Sequence, residues 1–271
     1  MGARRDFAGK VVVITGAAGG LGRALAGRWA AAGSRLALVD QDAGGVVSLA
    51  AELRRQEVDC LGLGCDITDP DQVHAAMGQV TSRWGGVDLL INNAGITQRS
   101  AFAATGAAVF RRVMEVNFFG SLYCTQAALE SLVQRRGVIV VISSVAGFAP
   151  LLGRSGYCAS KHALHGLFDS LRAELAGSGV DVCLVCPSFV DTGIAHRALD
   201  GDGSLTEHPQ STTGPVASPR EAAERIFAAA TRRRRLLVMG WVGKTTHLLT
   251  KLWPALYQRL MVRSLAGELQ R

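Results

Sequence analysis

Two polar side chains, Tyr157 and Lys161, lie four positions apart in the segment YCASKHALHGLFDSLRAEL. In an α-helix, residues i and i+4 share a face, so the phenol and the ammonium can point into one cleft. A free phenol has a pKa near ~10 and is a poor base near neutrality unless a neighbouring cation stabilises its anion. Lys161 could supply that charge, and the pair could then exchange a proton with a substrate hydroxyl. Taken alone, the spacing is also typical of two polar residues on a helix surface.

The elements that would position this pair alternate along the chain. Short runs rich in Val, Ile and Leu are separated by Ala-rich or charged segments of helical spacing, such as 21–32 and 73–84. The apolar runs are 11–14, 36–39, 61–63, 89–91, 138–142, 182–185 and 236–239. This alternation predicts an α/β fold, a doubly wound parallel sheet of the Rossmann type with about seven strands and helices on both faces. We assign residues 1–240 to this single domain and 241–271 to an amphipathic C-terminal extension.

A glycine-rich segment, TGAAGGLG, follows the first predicted strand and opens the first predicted helix. Gly16 permits a tight turn, Gly20 lets the backbone approach a pyrophosphate, and Gly22 lets helix and strand pack closely. The amino terminus of the helix attracts negative charge. Its position between a strand and a helix favours a dinucleotide site over an ordinary turn.

The second predicted strand ends in LALVD, which puts Asp40 where a carboxylate can accept hydrogen bonds from the adenosine ribose hydroxyls. A 2′-phosphate there would be repelled by Asp40 and by nearby Asp42. Ala17, Ala18 and Gln41 carry no cation that would offset the repulsion. The sequence therefore favours NAD over NADP.

Seven motifs in order make the chain resemble the short-chain dehydrogenase/reductase family, in its single-domain branch, over residues 9–195. They are TGAAGGLG (15–22), CDITD (65–69), NNAG (92–95), MEVNFFG (114–120), VISSVAG (141–147), YCASK (157–161) and CPSFVDT (186–192). The resemblance implies four catalytic residues, Asn117, Ser144, Tyr157 and Lys161. It also implies that the cofactor contacts are Gly16, Gly20, Leu21, Gly22, Asp40, Asp66, Ile67, Asn93, Ala94, Gly95, Tyr157, Lys161, Pro187, Val190 and Thr192. No metal site is expected.

The family chemistry implies a role for each catalytic residue. Tyr157 would exchange a proton with the substrate oxygen while hydride passes between carbon and nicotinamide, and Ser144 would orient that oxygen. Lys161 would stabilise the phenolate and hydrogen-bond the nicotinamide ribose, and Asn117 would hold a water. The chain departs from the family at Ser188, where the turn after the sixth strand usually has glycine. We expect an altered loop and retained activity if the serine adopts a negative φ.

Residues 193–219 are dense in Gly, Ser, Thr, Asp and Pro, which fits a mobile lid over the substrate or a disordered connector. His196 and His208 in this segment could touch substrate or simply face solvent. Beyond the lid, the segment THLLTKLWPALYQRLMVRS carries an apolar stripe at helical spacing, with Pro254 expected to start or kink a helix. The stripe could pack on its own domain or a dimer mate, cover an apolar substrate pocket, or lie on an anionic membrane surface. A looser likeness of this tail to 11β-hydroxysteroid dehydrogenase-like enzymes implies a bulky apolar alcohol or ketone, such as a steroid or lipid.

The charge of the chain limits its partners. Residues 1–214 hold 18 Lys/Arg against 19 Asp/Glu, whereas 215–271 hold 11 against 3, so the basic character belongs to the tail. Nucleic-acid binding is not predicted, because only the arginine run 232–235 would support it. The six cysteines fall mostly in apolar runs, which indicates buried free thiols, and we expect a cytoplasmic protein, with peripheral membrane contact through the tail as an alternative.

Two further expectations concern assembly and activity. The family resemblance implies a homodimer or homotetramer built on the helices after strands four and five. The leading prediction for activity is an NAD-dependent alcohol/ketone oxidoreductase. The alternatives are an NADP-dependent ketone reductase and a non-catalytic NAD-binding or scaffold protein.

Overall fold

The computed structural model describes residues 4–207, 211–212 and 214–265, and its centre is a parallel sheet of seven strands. The strands are β1 Val11–Thr15, β2 Arg35–Asp40, β3 Cys60–Gly64, β4 Leu89–Asn92, β5 Val138–Ile142, β6 Asp181–Cys186 and β7 Leu236–Val238. Each predicted strand is present with its bounds shifted by two residues at most. The predicted fold class is confirmed.

The order of the strands in the sheet is β3-β2-β1-β4-β5-β6-β7. The chain therefore moves outward in one direction from β1 to β3 and then returns to start in the other direction at β4. At such a reversal the loops on the two sides diverge and leave a crevice at the carboxyl ends of the strands. The glycine-rich turn after β1 and the loop after β4 border this crevice.

Helices cover both faces of the sheet. They are α1 Gly20–Ala30, α2 Ala43–Arg55, α3 Pro70–Trp84, α4 Ala107–Met114, α5 Gly120–Gln134, α6 Ser155–Glu174, α7 Pro219–Thr231, α8 Gly240–Leu252 and α9 Pro254–Leu265. Strand side chains alternate between two apolar cores: Val12 and Ile14 face α1, α2 and α7, whereas Val11 and Val13 face α3, α5 and α6. Both faces are buried, which explains why the strands read as continuous apolar runs.

The cysteines belong to these cores. All six are buried and unpaired, as their apolar surroundings predict. Cys183 packs in the core on the α1 side, whereas the Cys186 thiol lies on the other face, 3.5 Å from His165 Nε2. Residues three apart in a strand face opposite sides, so these two thiols cannot act as a pair.

The tail forms two helices, α8 and α9, that meet at Pro254 as predicted. The buried Tyr257 and Met261 of α9 join Ala149 in a small third apolar cluster. The Tyr257 hydroxyl donates to the Pro150 carbonyl at 3.0 Å, which ties the tail to the loop after β5. Among the described residues, no helix is long and apolar enough to cross a membrane.

Candidate active site

Tyr157 and Lys161 lie in the first two turns of α6 and share a face. The Lys161 ammonium lies 5.7 Å from the centre of the Tyr157 ring and donates to the Ile142 carbonyl, the last residue of β5, at 2.9 Å. Ser144 follows β5 and caps a short turn by accepting the Ala146 amide N–H at 3.1 Å. The end of β5 and the start of α6 thus bring together three of the four predicted catalytic residues.

Burial shifts the pKa of both groups on α6. It raises the pKa of the Tyr157 phenol. A hydrogen bond with the Ser144 side chain lowers the same pKa, but by less than burial raises it. It lowers the pKa of the Lys161 ammonium from 10.5 to about 8. Without a ligand, Tyr157 therefore holds its proton near neutrality, and Lys161 is cationic at pH 7 but loses its charge under mildly basic conditions.

Asn117, the fourth predicted residue, is fully buried in a π-helical turn, Glu115–Phe119, between α4 and α5. Single π-turns inside helices are frequent at functional sites. Its Nδ2 donates to the Ile96 carbonyl at 3.0 Å and to Ser160 Oγ at 2.9 Å, and its Oδ1 accepts the Ile96 amide N–H at 2.8 Å. Asn117 therefore fixes the loop after β4 against α6. Its side chain does not reach the cavity described below, and its holding of a water stays a prediction.

The glycine-rich turn is shaped by contacts that exclude side chains. Gly16 has φ +64°, and a Cβ atom there would lie 2.7 Å from Ala94 Cα. A Cβ on Gly22 would lie 2.1 Å from the Gly16 carbonyl oxygen, and one on Gly20 would lie 2.9 Å from the Thr192 carbonyl oxygen. The turn leaves a bare backbone surface at the amino terminus of α1, which fits the close approach of a diphosphate.

Hydrogen bonds hold the neighbouring loops against this turn. Asn93 Nδ2 donates to the carbonyls of Thr15 and Gly16 at 2.9 and 3.1 Å. Asp40, at the end of β2, accepts the Ala18 amide N–H at 2.8 Å. Asp66 accepts both the amide and the hydroxyl of Thr68 at 3.0 and 2.8 Å. The two carboxylates are thereby fixed at the edge of the crevice.

A cavity of about 700 Å³ runs along the carboxyl ends of the strands. Its volume lies in the range of small-molecule and cofactor sites. Every cofactor contact implied by the sequence contributes to its wall: Gly16, Gly20, Leu21, Gly22, Asp40, Asp66, Ile67, Asn93, Ala94, Gly95, Tyr157, Lys161, Pro187, Val190 and Thr192. Ser144 lines it as well, whereas Asn117 lies behind the wall. The bare turn and the ordered acidic edge fit a nicotinamide dinucleotide.

The same cavity contains a cation that sequence reasoning missed. Arg197 lines it from the short turn Ile194–Arg197, and its Nη2 lies 3.6 Å from the position that a Cβ atom would occupy on Gly19. The buried Arg99 donates to the Ala195 carbonyl at 3.2 Å and so anchors this turn. The last motif ends at Thr192, before Arg197, so only the fold reveals this contact.

A second cavity, of about 1070 Å³, meets the first at Ser144 and Tyr157. The segment after β6 contributes Phe189 and Ile194 to its wall, and α8 and α9 contribute Leu249 and Met261. Further apolar lining comes from Val145, Leu151, Leu152, Val216, Trp241, Val242, Tyr257, Leu260 and Leu265. The apolar tail thus both packs on its own domain and covers a pocket, two of the alternatives open from the sequence.

Two details of the segment after β6 complete the site. Ser188 lines both cavities and is not among the residues with positive φ, so serine occupies the turn after β6 without backbone strain. His196 lines the second cavity, whereas His208 lies outside the described residues. Within those residues, no group of three or more His, Cys, Asp or Glu side chains is arranged to hold a metal ion.

A doubly wound sheet whose glycine-rich turn faces a serine, a tyrosine and a lysine defines a class, the dinucleotide-dependent oxidoreductases. The family model for short chain dehydrogenases matches residues 10–202, and the chain belongs to the short-chain dehydrogenase/reductase family. The predicted family and the prediction of an oxidoreductase enzyme are confirmed.

Proteins of similar sequence or structure align with nearly the whole chain. The dehydrogenase/reductase SDR family member 7B of Danio rerio is 39% identical over 95% of this chain and 86% of its own length. The dehydrogenase/reductase SDR family protein 7-like of Drosophila melanogaster is 36% identical over 96% of this chain and 82% of its own. A short-chain dehydrogenase/reductase of Burkholderia phymatum, solved in complex with NAD, superimposes with a TM-score of 0.83 at 29% identity and covers 93% of this chain and 96% of its own.

Proposed function

We propose that this protein is an NAD-dependent dehydrogenase/reductase that interconverts a secondary alcohol and a ketone on a bulky apolar molecule. The observation that carries the proposal is the meeting of two cavities at Ser144 and Tyr157. One cavity has the bare glycine turn and the acidic edge that suit a dinucleotide. The other is large, and apolar atoms make up most of its exposed wall. A substrate carbon held at the junction would lie beside both hydroxyl groups.

The side chains at the junction supply the proton chemistry. Ser144 would donate a hydrogen bond to the substrate oxygen, and Tyr157, protonated near neutrality, would give that oxygen its proton during reduction. In oxidation Tyr157 would remove the hydroxyl proton, with Lys161 stabilising the phenolate. When bound, the nicotinamide cofactor supplies or accepts the hydride. The lysine would also hold the cofactor's nicotinamide ribose.

The preference for NAD rests on Asp40. Its carboxylate is fixed by the Ala18 amide at 2.8 Å and lines the cavity, so it can accept hydrogen bonds from the adenosine ribose and would repel a 2′-phosphate. The NAD complex of the Burkholderia phymatum protein, which shares the fold at 29% identity, is consistent with this choice.

The substrate class rests on the second cavity. Its volume of about 1070 Å³ slightly exceeds the usual range for small-molecule sites, which leaves room for a molecule of steroid or lipid size. The apolar lining favours a hydrophobic body with the reacting oxygen at the Ser144 and Tyr157 end. Assembly into a homodimer or homotetramer and a cytoplasmic location stay predictions.

The test compares turnover with cofactor binding. The wild type should oxidise or reduce members of a panel of steroid and lipid alcohols and ketones with NAD(H). Tyr157→Phe should lower kcat by a factor on the order of 10² to 10⁴ and bind NADH as tightly as the wild type, by nicotinamide fluorescence. Ser144→Ala, which removes the hydroxyl that would hydrogen-bond the substrate oxygen, is the second variant in the same assays. Retention of most of the rate in Tyr157→Phe would refute the acid/base assignment, and binding without turnover of any panel member would favour a scaffold protein.

A further inference from the structure

The two tail helices carry an exposed apolar surface that none of the described residues covers. We call it the apolar crest and define it as Trp241, Leu248, Leu252, Trp253, Leu256 and Leu260. These side chains are 45% to 64% exposed. Single exposed apolar residues are ordinary, but adjacent ones on neighbouring helices mark an interaction surface.

On each tail helix, the spacing of the crest residues places them on one face of that helix. On α8, Trp241, Leu248 and Leu252 are separated by seven and four positions and therefore share one face. On α9, Leu256 and Leu260 are four positions apart, while the buried Tyr257 and Met261 point into the protein. Each helix thus has an inner apolar face that packs and an outer apolar face that does not.

Cations flank the crest, and anions are missing from it. Lys244 and Lys251 lie beside the stripe on α8, and Arg259 and Arg263 lie beside Leu256 and Leu260 on α9; all four are exposed. Residues 225–265 contain no Asp or Glu. An apolar stripe on helices whose charged residues are all cations is the composition of helices that lie in the interface of an anionic bilayer.

We propose that the apolar crest docks on the surface of a bilayer that contains anionic lipid. The charge selects this occupant over a second copy of the chain, because pairing two crests would bring two sets of four cations together with no acidic residue on α8 or α9 to offset them. Anionic headgroups would instead neutralise the cations while the leucines and tryptophans enter the boundary of the acyl chains.

Docking would also set the route of the substrate, an extension that rests on the proposed function. Trp241 and Leu260 belong to the crest and also line the second cavity, so the exposed surface is continuous with the cavity wall. A docked molecule would present this side of its cavity to the lipid. An apolar alcohol or ketone could then pass from the membrane to Tyr157 without crossing water.

Tryptophan fluorescence gives a direct readout. Of the four tryptophans, Trp29 and Trp84 are 0% and 9% exposed, whereas Trp241 and Trp253 are 64% and 57% exposed. Vesicles of phosphatidylcholine and phosphatidylserine that contain brominated acyl chains should quench the wild type. The variant Trp241→Phe/Trp253→Phe should still sediment with the vesicles but lose the quenching, because its remaining tryptophans are buried.

Sedimentation with the same vesicles tests the crest itself. Leu252→Ser/Leu256→Ser, which does not touch the second cavity, should lower binding by about tenfold or more. Val47→Ser, which removes an apolar side chain that is 49% exposed on α2, should bind as the wild type does. Binding should fall when phosphatidylserine is omitted and when salt is raised.

Three results would overturn the proposal: no binding to the anionic vesicles, equal binding to vesicles of phosphatidylcholine alone, or a crest variant that converts a dimer to a monomer in sedimentation velocity while vesicle binding is unchanged. The vesicle experiments need no cofactor. Their failure is therefore distinguishable from failure of the proposed function, which would show as lost NADH binding or turnover in solution.

Discussion

The guanidinium group of Arg197 reaches across the glycine-rich turn, with its Nη2 atom 3.6 Å from the position of a Cβ atom on Gly19. Its side chain is exposed and lines the cavity that suits the dinucleotide. A cation there can make charge-assisted hydrogen bonds to the diphosphate. We predict that Arg197→Ala weakens NADH binding about tenfold, which is ~1.4 kcal/mol. Titration of nicotinamide fluorescence at low and high salt measures the change.

Fragments of the cofactor show which phosphate Arg197 binds. If it binds the nicotinamide-side phosphate of the diphosphate, Arg197→Ala should weaken the binding of ADP and ADP-ribose and leave AMP unaffected. An equal loss with AMP would place Arg197 on the adenosine-side phosphate. Arg197→Lys should recover part of the loss, because lysine keeps the charge without the bidentate geometry. A loss confined to NADPH would mean that Arg197 instead reads a 2′-phosphate, and the cofactor assignment would then change to NADP.

Asp40 should control the choice of nicotinamide cofactor. The Asp40 carboxylate accepts the amide N–H groups of Ala18 at 2.8 Å and Asp42 at 3.0 Å. In Asp40→Asn the single amide oxygen can keep the Ala18 bond, whereas the Asp42 bond and the negative charge are lost. We expect NADH binding to weaken and NADPH binding to improve, so that the ratio of the two dissociation constants changes by about tenfold or more. Binding titrations with both reduced cofactors measure the ratio.

The matched control for this variant is Asp42→Asn. The Asp42 side chain caps α2 by accepting the Gly45 amide N–H at 2.9 Å and does not line the cavity. Asp42→Asn removes the same charge two positions away, outside the cavity wall, and should change the ratio much less than Asp40→Asn does. Equal effects of the two variants would indicate a general electrostatic influence and contradict a specific contact with the ribose.

Local patterns explain what could be predicted from the sequence. The run Val138–Ile142 is apolar throughout because the strand is buried on both faces, and the predicted bounds of this strand match the observed ones. The position of Asp40 at the edge of the crevice could be predicted because it ends a strand. Arg197 could not, because its contact depends on how the segment after β6 folds back over the turn after β1. The tail could be predicted only in part. Its apolar stripe is evident in the sequence, but only packing decides that Leu249 turns inward and Leu248 outward.

Lys161 should make stability depend on pH between its two pKa values. Burial lowers its pKa in the folded state from 10.5 to about 8, so below pH 8 the protein carries the full penalty of a buried charge. As the pH rises from 8 to 10.5, the folded state releases the proton before the unfolded state does, and the free energy of unfolding increases. The gain from this one group is at most about 3 kcal/mol, given ~1.36 kcal/mol per pKa unit.

Comparison with Lys161→Met isolates this contribution. The variant lacks the titrating group and leaves the Ile142 carbonyl without its donor, which changes stability by an amount independent of pH. The difference between the unfolding free energies of wild type and variant should therefore grow in favour of the wild type between pH 8 and 10.5. Denaturant unfolding of both proteins across that range measures it, and parallel curves would show that Lys161 is not desolvated.

Two glycines in α1 should respond in opposite ways to alanine. A Cβ atom on Gly20 would lie 2.9 Å from the Thr192 carbonyl oxygen, which is backbone and cannot swing away, whereas nothing lies within 4 Å of one on Gly27. Gly20→Ala should therefore displace the segment after β6, weaken NADH binding and lower the free energy of unfolding by about 1–3 kcal/mol. Gly27→Ala should raise that free energy by about 0.5–1 kcal/mol, because alanine is the better helix former, and leave NADH binding unchanged.

Chemical denaturation and NADH titration of the two variants test the pair. If Gly20→Ala bound NADH normally, the close approach between the turn and Thr192 would not be needed to form the cofactor site.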